Sequence, residues 1–255
     1  MSTLSTIGKP TNRPPIITIC GDAGTGKTTL AATFPNPIVI RAEDGLQAIP
    51  EADRPDAFPV LKKANDLWEQ LTDLIKEQHD YQTLIIDSVT ALERLFIQDV
   101  IDGDPKKPKG INQALGGYGN GVAAVASMHQ RVRKAAGALN ERKNINIIFV
   151  AHADLENMDL PDQEAYSRYS LRLGKRSIAP YTDDSDLVGF LKLNSFVKGG
   201  DGEKNKVVST GQRLLTTYSI ASSVSKNRYG ITQDLNVEQG INPLIDFIPT
   251  LKAGI

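Results

Sequence analysis

The sequence predicts an α/β fold, with a mainly parallel sheet flanked by helices and an antiparallel hairpin at its C-terminal edge. Short β-branched runs alternate with helix-period stretches as far as Ala151, the pattern of successive βαβ units. A glycine-rich turn separates the first run from the first helical stretch. The 255 residues are 40% hydrophobic and 23% charged, ordinary for a globular chain and enough to bury a large core.

Residues 1–14, with prolines and several Ser and Thr, are expected to form a flexible arm, leaving 15–255 as one domain. Pro15 to Cys20 is apolar and β-branched enough for a buried strand. Lys27 to Thr33 starts a helix that Pro35 and Pro37 stop, and Pro37 to Ala42 is a second buried strand. Leu67, Leu71, Leu74 and Ile75 recur at helical spacing, so Ala64 to His79 is an amphipathic helix. Gln82 to Asp87 is a third strand with an acidic end, followed by a helix from Val89 to Ile101. Asp102 to Gly121 is glycine-rich and expected to be irregular. A helix from Val122 to Asn140 and a strand from Asn146 to Ala151 come next. Ala153 to Pro180 is long and polar and is expected to be a functional or mobile loop. Leu187 to Leu193 and Arg213 to Ser219 form the antiparallel pair, with Lys198 to Asn205 as its flexible tip.

Composition narrows the function classes. A net charge of −1 argues against a uniformly basic, nucleic-acid-coating surface, though not against a local basic groove. One cysteine excludes an internal disulfide framework, and Cys20 fits a small hydrophobe in a reducing compartment. No apolar run approaches the roughly 18 residues of a membrane span, and Met1 to Pro14 lacks the apolar region of a secretory signal. A cytoplasmic protein with no membrane partner is expected. His79 and His129 fall in expected helices as structural or surface residues, and no His/Cys cluster has zinc spacing.

Gly21-Asp22-Ala23-Gly24-Thr25-Gly26-Lys27-Thr28 matches G-x-x-x-x-G-K-[ST] between an expected strand and an expected helix, with Thr29 following. The glycines let backbone N–H groups converge on phosphates. Lys27 would reach the β- and γ-phosphates of ATP, and the Thr28 hydroxyl would bind Mg²⁺. A second metal anchor should be a carboxylate ending a neighbouring buried strand, and Asp87 stands there; the alternative is that Asp87 caps the following helix.

These residues resemble the RecA-type ATPases. Thr83 to Leu92 is similar to their Walker B strand and helix, and Ile38 to Leu46 resembles the strand whose terminal glutamate polarises the attacking water. The resemblance gives that role to Glu43, with a solvated loop acid as the alternative. Asn146 to His152 resembles the strand preceding a polar γ-phosphate sensor; His152 stands where RecA has glutamine, as a sensor or as a satisfied strand-end histidine. Ser225 to Gly230 resembles the Lys-x-Arg-x-Gly element of DnaB-type helicases, which projects onto a neighbour's nucleotide. Lys226 and Arg228 are the candidates, unless they form only a basic surface turn. Such a finger implies a homo-oligomer, ring or filament. The likeness over residues 15–235 is closest to compact phage-encoded RecA-like proteins grouped with single-strand annealing proteins.

In RecA-like proteins the DNA loops follow the Walker B helix and the sensor strand, where the two irregular segments lie. The first offers Lys106, Lys107, Lys109 and Tyr118; the second offers Arg168, Tyr169, Arg172, Lys175 and Arg176 after an acidic stretch from Asp154 to Glu164. Cations and aromatic rings suit single-stranded DNA tracked without sequence preference; a salt-bridged lid over the nucleotide is the alternative for the second. The expectation is therefore a Mg²⁺-dependent ATPase that binds single-stranded DNA and promotes annealing or homologous recombination, in company with a single-strand DNA-binding protein. The rivals are an ATP-driven helicase or motor, a small-molecule kinase, and a module that ATP gates without turnover.

Overall fold

The expected buried runs become neighbouring strands of one sheet. The computed structural model describes residues 3–9, 11–162, 164–198 and 206–252. Strands β1 (Ile16–Gly21), β2 (Pro37–Arg41), β3 (Asp56–Ala57), β4 (Thr83–Asp87), β5 (Asn146–Met158) and β7 (Leu187–Lys198) are parallel in the order β7-β1-β5-β4-β2-β3. β8 (Lys206–Thr216) and β10 (Leu235–Val237) extend the β7 edge antiparallel, and β9 (Lys226–Asn227) pairs with the start of β7. The fold is thus α/β with a mainly parallel mixed sheet and antiparallel strands at its C-terminal edge, as the sequence led us to expect.

Strand residues alternate between two apolar layers. Ile16, Cys20, Ile86 and Phe149 face the side covered by α2 (Ala64–Lys76), α3 (Val89–Gly103), α4 (Asn120–Lys143) and α5 (Lys175–Thr182). Ile17, Ile19, Ile85 and Val150 face the side of α1 (Lys27–Ala32) and the C-terminal segment with α6 (Pro249–Lys252). Burial on both sides explains why these strands are continuous apolar runs. Cys20 is buried here, and burial pushes its thiol up to about 12, consistent with an inert packing role. Among the described residues no helix is long and apolar enough to cross a membrane.

Local chemistry sets the helix starts. Asp66 accepts hydrogen bonds from the backbone of Lys62 and Lys63 at the head of α2, and Ser88 accepts from Ala91 N at the head of α3. The chain joins the domain at Arg13, which bonds Asp186, and at Pro14, whose carbonyl accepts from Asn140.

The expected loop at Ala153–Pro180 is corrected. β5 continues to Met158, β6 (Tyr166–Leu171) returns antiparallel beside it, and α5 follows. The ribbon stands beyond the main sheet, and its cross-strand partners include Glu156 and Arg168, an ion pair at 3.0 Å. The Asp102–Gly121 stretch is also more built than expected, with a short 3-10 segment at Ile111–Gly116 and α4 beginning at Asn120. Asp104 clasps it, accepting from Lys106 N at 2.9 Å and Leu115 N at 2.6 Å. β8 ends at Thr216, short of the expected Ser219. The expected flexible tip falls mostly on residues 199–205, outside the described residues.

Candidate functional site

The register brings distant parts of the chain together at the carboxyl ends of the parallel strands. Gly21 lies beside His152 across β1 and β5, and Asp87 ends β4 beside Arg41 and Val150. The carboxyl end of such a sheet is where α/β folds place ligands. Between β1 and α1 the chain turns through Asp22, Ala23, Gly24 and Thr25 into Gly26, whose φ of 92° is a left-handed conformation suited to glycine. A cavity of about 400 Å³ opens there, lined by Ala23, Gly24, Gly26, Lys27, Thr28, Thr29, Glu43, Asp87, His152 and Arg213.

Inside the cavity the charged groups are already organised. Lys27 Nζ donates to the Asp22 carbonyl at 2.8 Å, and burial lowers its pKa against the pull of nearby acids. Thr28 Oγ1 donates to Asp87 Oδ2 at 2.6 Å. Burial raises the Asp87 carboxyl, with the Thr28 bond opposing it. Glu43 Oε1 lies 3.1 Å from His152 Nε2, with Arg94 3.8 Å from the other oxygen. The His152 bond chiefly holds the Glu43 carboxyl below its usual range. Glu43 is therefore a positioned member of the cavity rather than a free loop acid. His152 in turn donates its backbone N–H to Thr90 Oγ1 and accepts from Arg172 N.

The helix-capping alternative for Asp87 falls to its neighbour: Ser88 makes the cap, and the Asp87 carboxylate faces Thr28. A Cβ on Gly45 would sit 3.5 Å from Thr28 Oγ1 and 3.6 Å from Asp87 Oδ2, so glycine there keeps the space before these oxygens clear. Among the described residues no group of three or more His, Cys, Asp or Glu could cage a metal. One hydroxyl and one carboxylate beside an anion cradle is instead a donor set that suits Mg²⁺, which takes its remaining ligands from phosphates and water.

Lys226 and Arg228 lie elsewhere. β9 pairs Lys226 with Val188 and Asn227 with Leu187, and Leu187 is level with Ile17, near the start of β1. They therefore sit at the end of the sheet away from the phosphate cradle, which begins at Gly21. Lys226 Nζ donates to the Asp183 carbonyl at 2.6 Å, and Arg228 pairs with Asp186 at 3.1 Å.

Lys106, Lys107, Lys109 and Tyr118 are exposed on the segment between α3 and α4. Leu115 to Gly119 all have positive φ, from 52° to 86°, and they present Leu115 and Tyr118 to solvent. Arg172, Lys175 and Arg176 are exposed near the start of α5. The two segments meet: a Cβ on Gly119 would be 3.9 Å from an Arg176 nitrogen. Arg168 and Tyr169 are more committed, the first to Glu156 and the second to a stack on Phe190 with centroids 4.7 Å apart.

Sequence reasoning missed Arg213, Gly45, Thr90 and Arg94. Gly45 and Thr90 lie within stretches already singled out for Glu43 and Asp87, and Arg94 one turn further on; Arg213 comes from a strand with no phosphate-site signature, and only the sheet pairing places it here. Across the whole chain, a family model described as an AAA domain matches residues 13–229. No curated protein matches the chain.

Proposed function

The chain belongs to the AAA-domain family of P-loop NTPases, and from that premise we propose that it is a Mg²⁺-dependent ATPase of RecA-like type that binds single-stranded DNA and promotes annealing or homologous recombination. The observation that carries the ATPase half is the convergence of Lys27, Thr28, Glu43, Asp87 and His152 on one cavity. Lys27 and the backbone N–H groups of Gly24 to Thr28 bind the phosphate chain. Thr28 and Asp87 would hold Mg²⁺, which would supply positive charge to the phosphate oxygens. Glu43, kept ionised by His152, orients the attacking water and accepts its proton. His152 is tied to Glu43 by its ring and to Arg172 by its carbonyl, so it links the reacting end of the site to the basic segment.

The DNA half is supported by the meeting of the two basic segments at Gly119 and Arg176, with a fully exposed Tyr118 beside them. An aromatic ring among mobile cations is the usual means of holding single strands without sequence preference. A homo-oligomer, ring or filament, would bring Lys226 and Arg228 of one copy to the nucleotide of the next.

The test is ATP hydrolysis with and without single-stranded DNA. Lys27→Ala should abolish it and Glu43→Gln should lower it by about 10²–10⁴-fold with ATP binding kept. Hydrolysis that DNA leaves unchanged would remove the DNA half and favour the kinase reading, and ATP binding without hydrolysis would favour the gating one.

A further inference from the structure

We propose that Arg213 is this chain's own phosphate-binding arginine, which strengthens nucleotide binding within a single copy. The backbone of Arg213 is fixed on both sides, opposite Leu193 of β7 and Val237 of β10. β7 in turn pairs with β1, so the strand that carries Arg213 is held at a set distance from the turn after β1. Its side chain crosses that distance and lies on the phosphate turn. A Cβ on Gly26 would be 3.0 Å from Arg213 Nε, 3.3 Å from Cζ and 3.4 Å from Cδ. The same guanidinium lines the cavity that holds Lys27, Glu43 and Asp87.

The second observation concerns what Arg213 does not touch. Its Nε is buried, with no hydrogen-bond partner among the described residues. Elsewhere in the chain Arg228 has Asp186 as acceptor and Arg168 has Glu156. The acids inside the cavity are engaged, Glu43 with His152 and Asp87 with Thr28. A buried N–H without an acceptor costs free energy. The acceptor this arrangement is built for is therefore an anion that enters the cavity. A planar fork of N–H donors next to backbone N–H groups that cradle phosphate suits a phosphate oxygen pair, where Arg bonds in two places and Lys acts as a point charge.

Arg213 thus differs from the Lys226 and Arg228 pair in kind. It acts in the chain whose phosphate turn it touches, and its effect is on nucleotide binding by a single chain. The inference rests on the nucleotide-binding reading above, and the experiment separates the two. ATP, ADP and adenosine binding are measured by titration calorimetry with Mg²⁺ for the wild-type chain, Lys27→Ala, Arg213→Gln and Arg213→Lys. Melting temperatures are taken with and without ATP. Arg213→Gln should bind ATP about 10-fold or more weakly while adenosine binding stays as in wild type. Arg213→Lys should fall between them. The ligand-free melting temperature of Arg213→Gln should not drop, because an unmatched buried donor has been removed, and its ATP-induced rise should shrink. Two results overturn the proposal alone: ATP affinity in both variants within twofold of wild type, or equal losses for ATP and adenosine. A wild-type chain that binds neither ATP nor ADP overturns the nucleotide reading itself, and this inference with it.

Discussion

His129 shows how one side chain sets a pH limit on the fold. It is fully buried, edge-on to Phe96 with centroids 5.0 Å apart, and its Nδ1 lies 2.7 Å from the Tyr181 hydroxyl. Burial lowers its pKa to about 4, so it is neutral in the native state. In the unfolded chain it titrates near 6.5, so its contribution to stability is intact above that pH. As pH falls from about 6.5 towards 4 the unfolded state takes up a proton that the fold refuses, and on the order of 3 kcal/mol is lost. Urea unfolding from pH 7.5 to 4.5 should show this loss in the wild type and a flatter slope in His129→Phe; parallel slopes would remove His129 as the cause. Asp87 is the opposite case, a carboxyl raised by burial, so its charge is a cost the ligand-free site bears. The phosphate cradle was legible because its chemistry is local: Gly21 to Thr28 is one unbroken motif, and Asp87 ends an apolar run. Arg213 was not, because nothing in its own strand distinguishes a phosphate contact from a surface cation.

At the scale of elements, legibility follows burial. β1 and β4 are buried along their whole lengths, so each reads as an apolar run. The β5–β6 ribbon is wetted on much of its surface; Leu155, set between Asp154 and Glu156, is 62% exposed, so the few apolar residues there do not mark a buried face. Backbone pairing, the Glu156–Arg168 bridge and the bonds of the Tyr169 backbone to Ser222 and Val224 hold it, and none of these leaves a hydropathy pattern. The segment between α3 and α4 was legible as glycine-rich, but its clasp was not. Asp104 is buried and ties both ends of the segment through the amides of Lys106 and Leu115. The two amide bonds, from Lys106 first, hold its carboxyl below the usual carboxylate range. Asp104→Ala should therefore raise amide exchange over residues 105–118 by about 10-fold or more. The rest of the domain should keep its exchange rates, since buried Ala114 still anchors the segment's base. Asp104→Asn, which keeps one acceptor, should fall between. Exchange in Asp104→Ala equal to wild type would show that the clasp is not what orders this segment.

At the scale of the whole molecule, the question is whether one chain makes a complete site. Lys226 is level with Thr18 and Asn227 with Ile17, three and four residues before Gly21; Arg228, one residue further, is therefore roughly 16 Å from the phosphate cradle at ~3.3 Å per strand residue. No reach within one chain brings Arg228 to that cradle while it holds Asp186. Their role inside the chain is modest. Asp186 keeps Arg13 and the Ile16 amide without Arg228, whose side chain is 61% exposed. An ion pair of that exposure contributes about 0–1 kcal/mol, so Arg228→Ala should fold and melt almost as the wild type does. A trans-acting arginine, by contrast, raises hydrolysis by about 10³–10⁵-fold. Arg228→Ala should then be nearly inactive with unchanged ATP binding, and wild-type activity per chain should rise with protein concentration. The decisive measurement mixes Arg228→Ala with Lys27→Ala. Each is inactive alone, but a mixed assembly sets the intact cradle of the first beside the intact Arg228 of the second. Recovered hydrolysis in the mixture means that the site is shared between copies. Arg228→Ala hydrolysing alone at the wild-type rate means instead that Lys226 and Arg228 are only a surface turn and that the chain's own residues, Arg213 among them, complete the site.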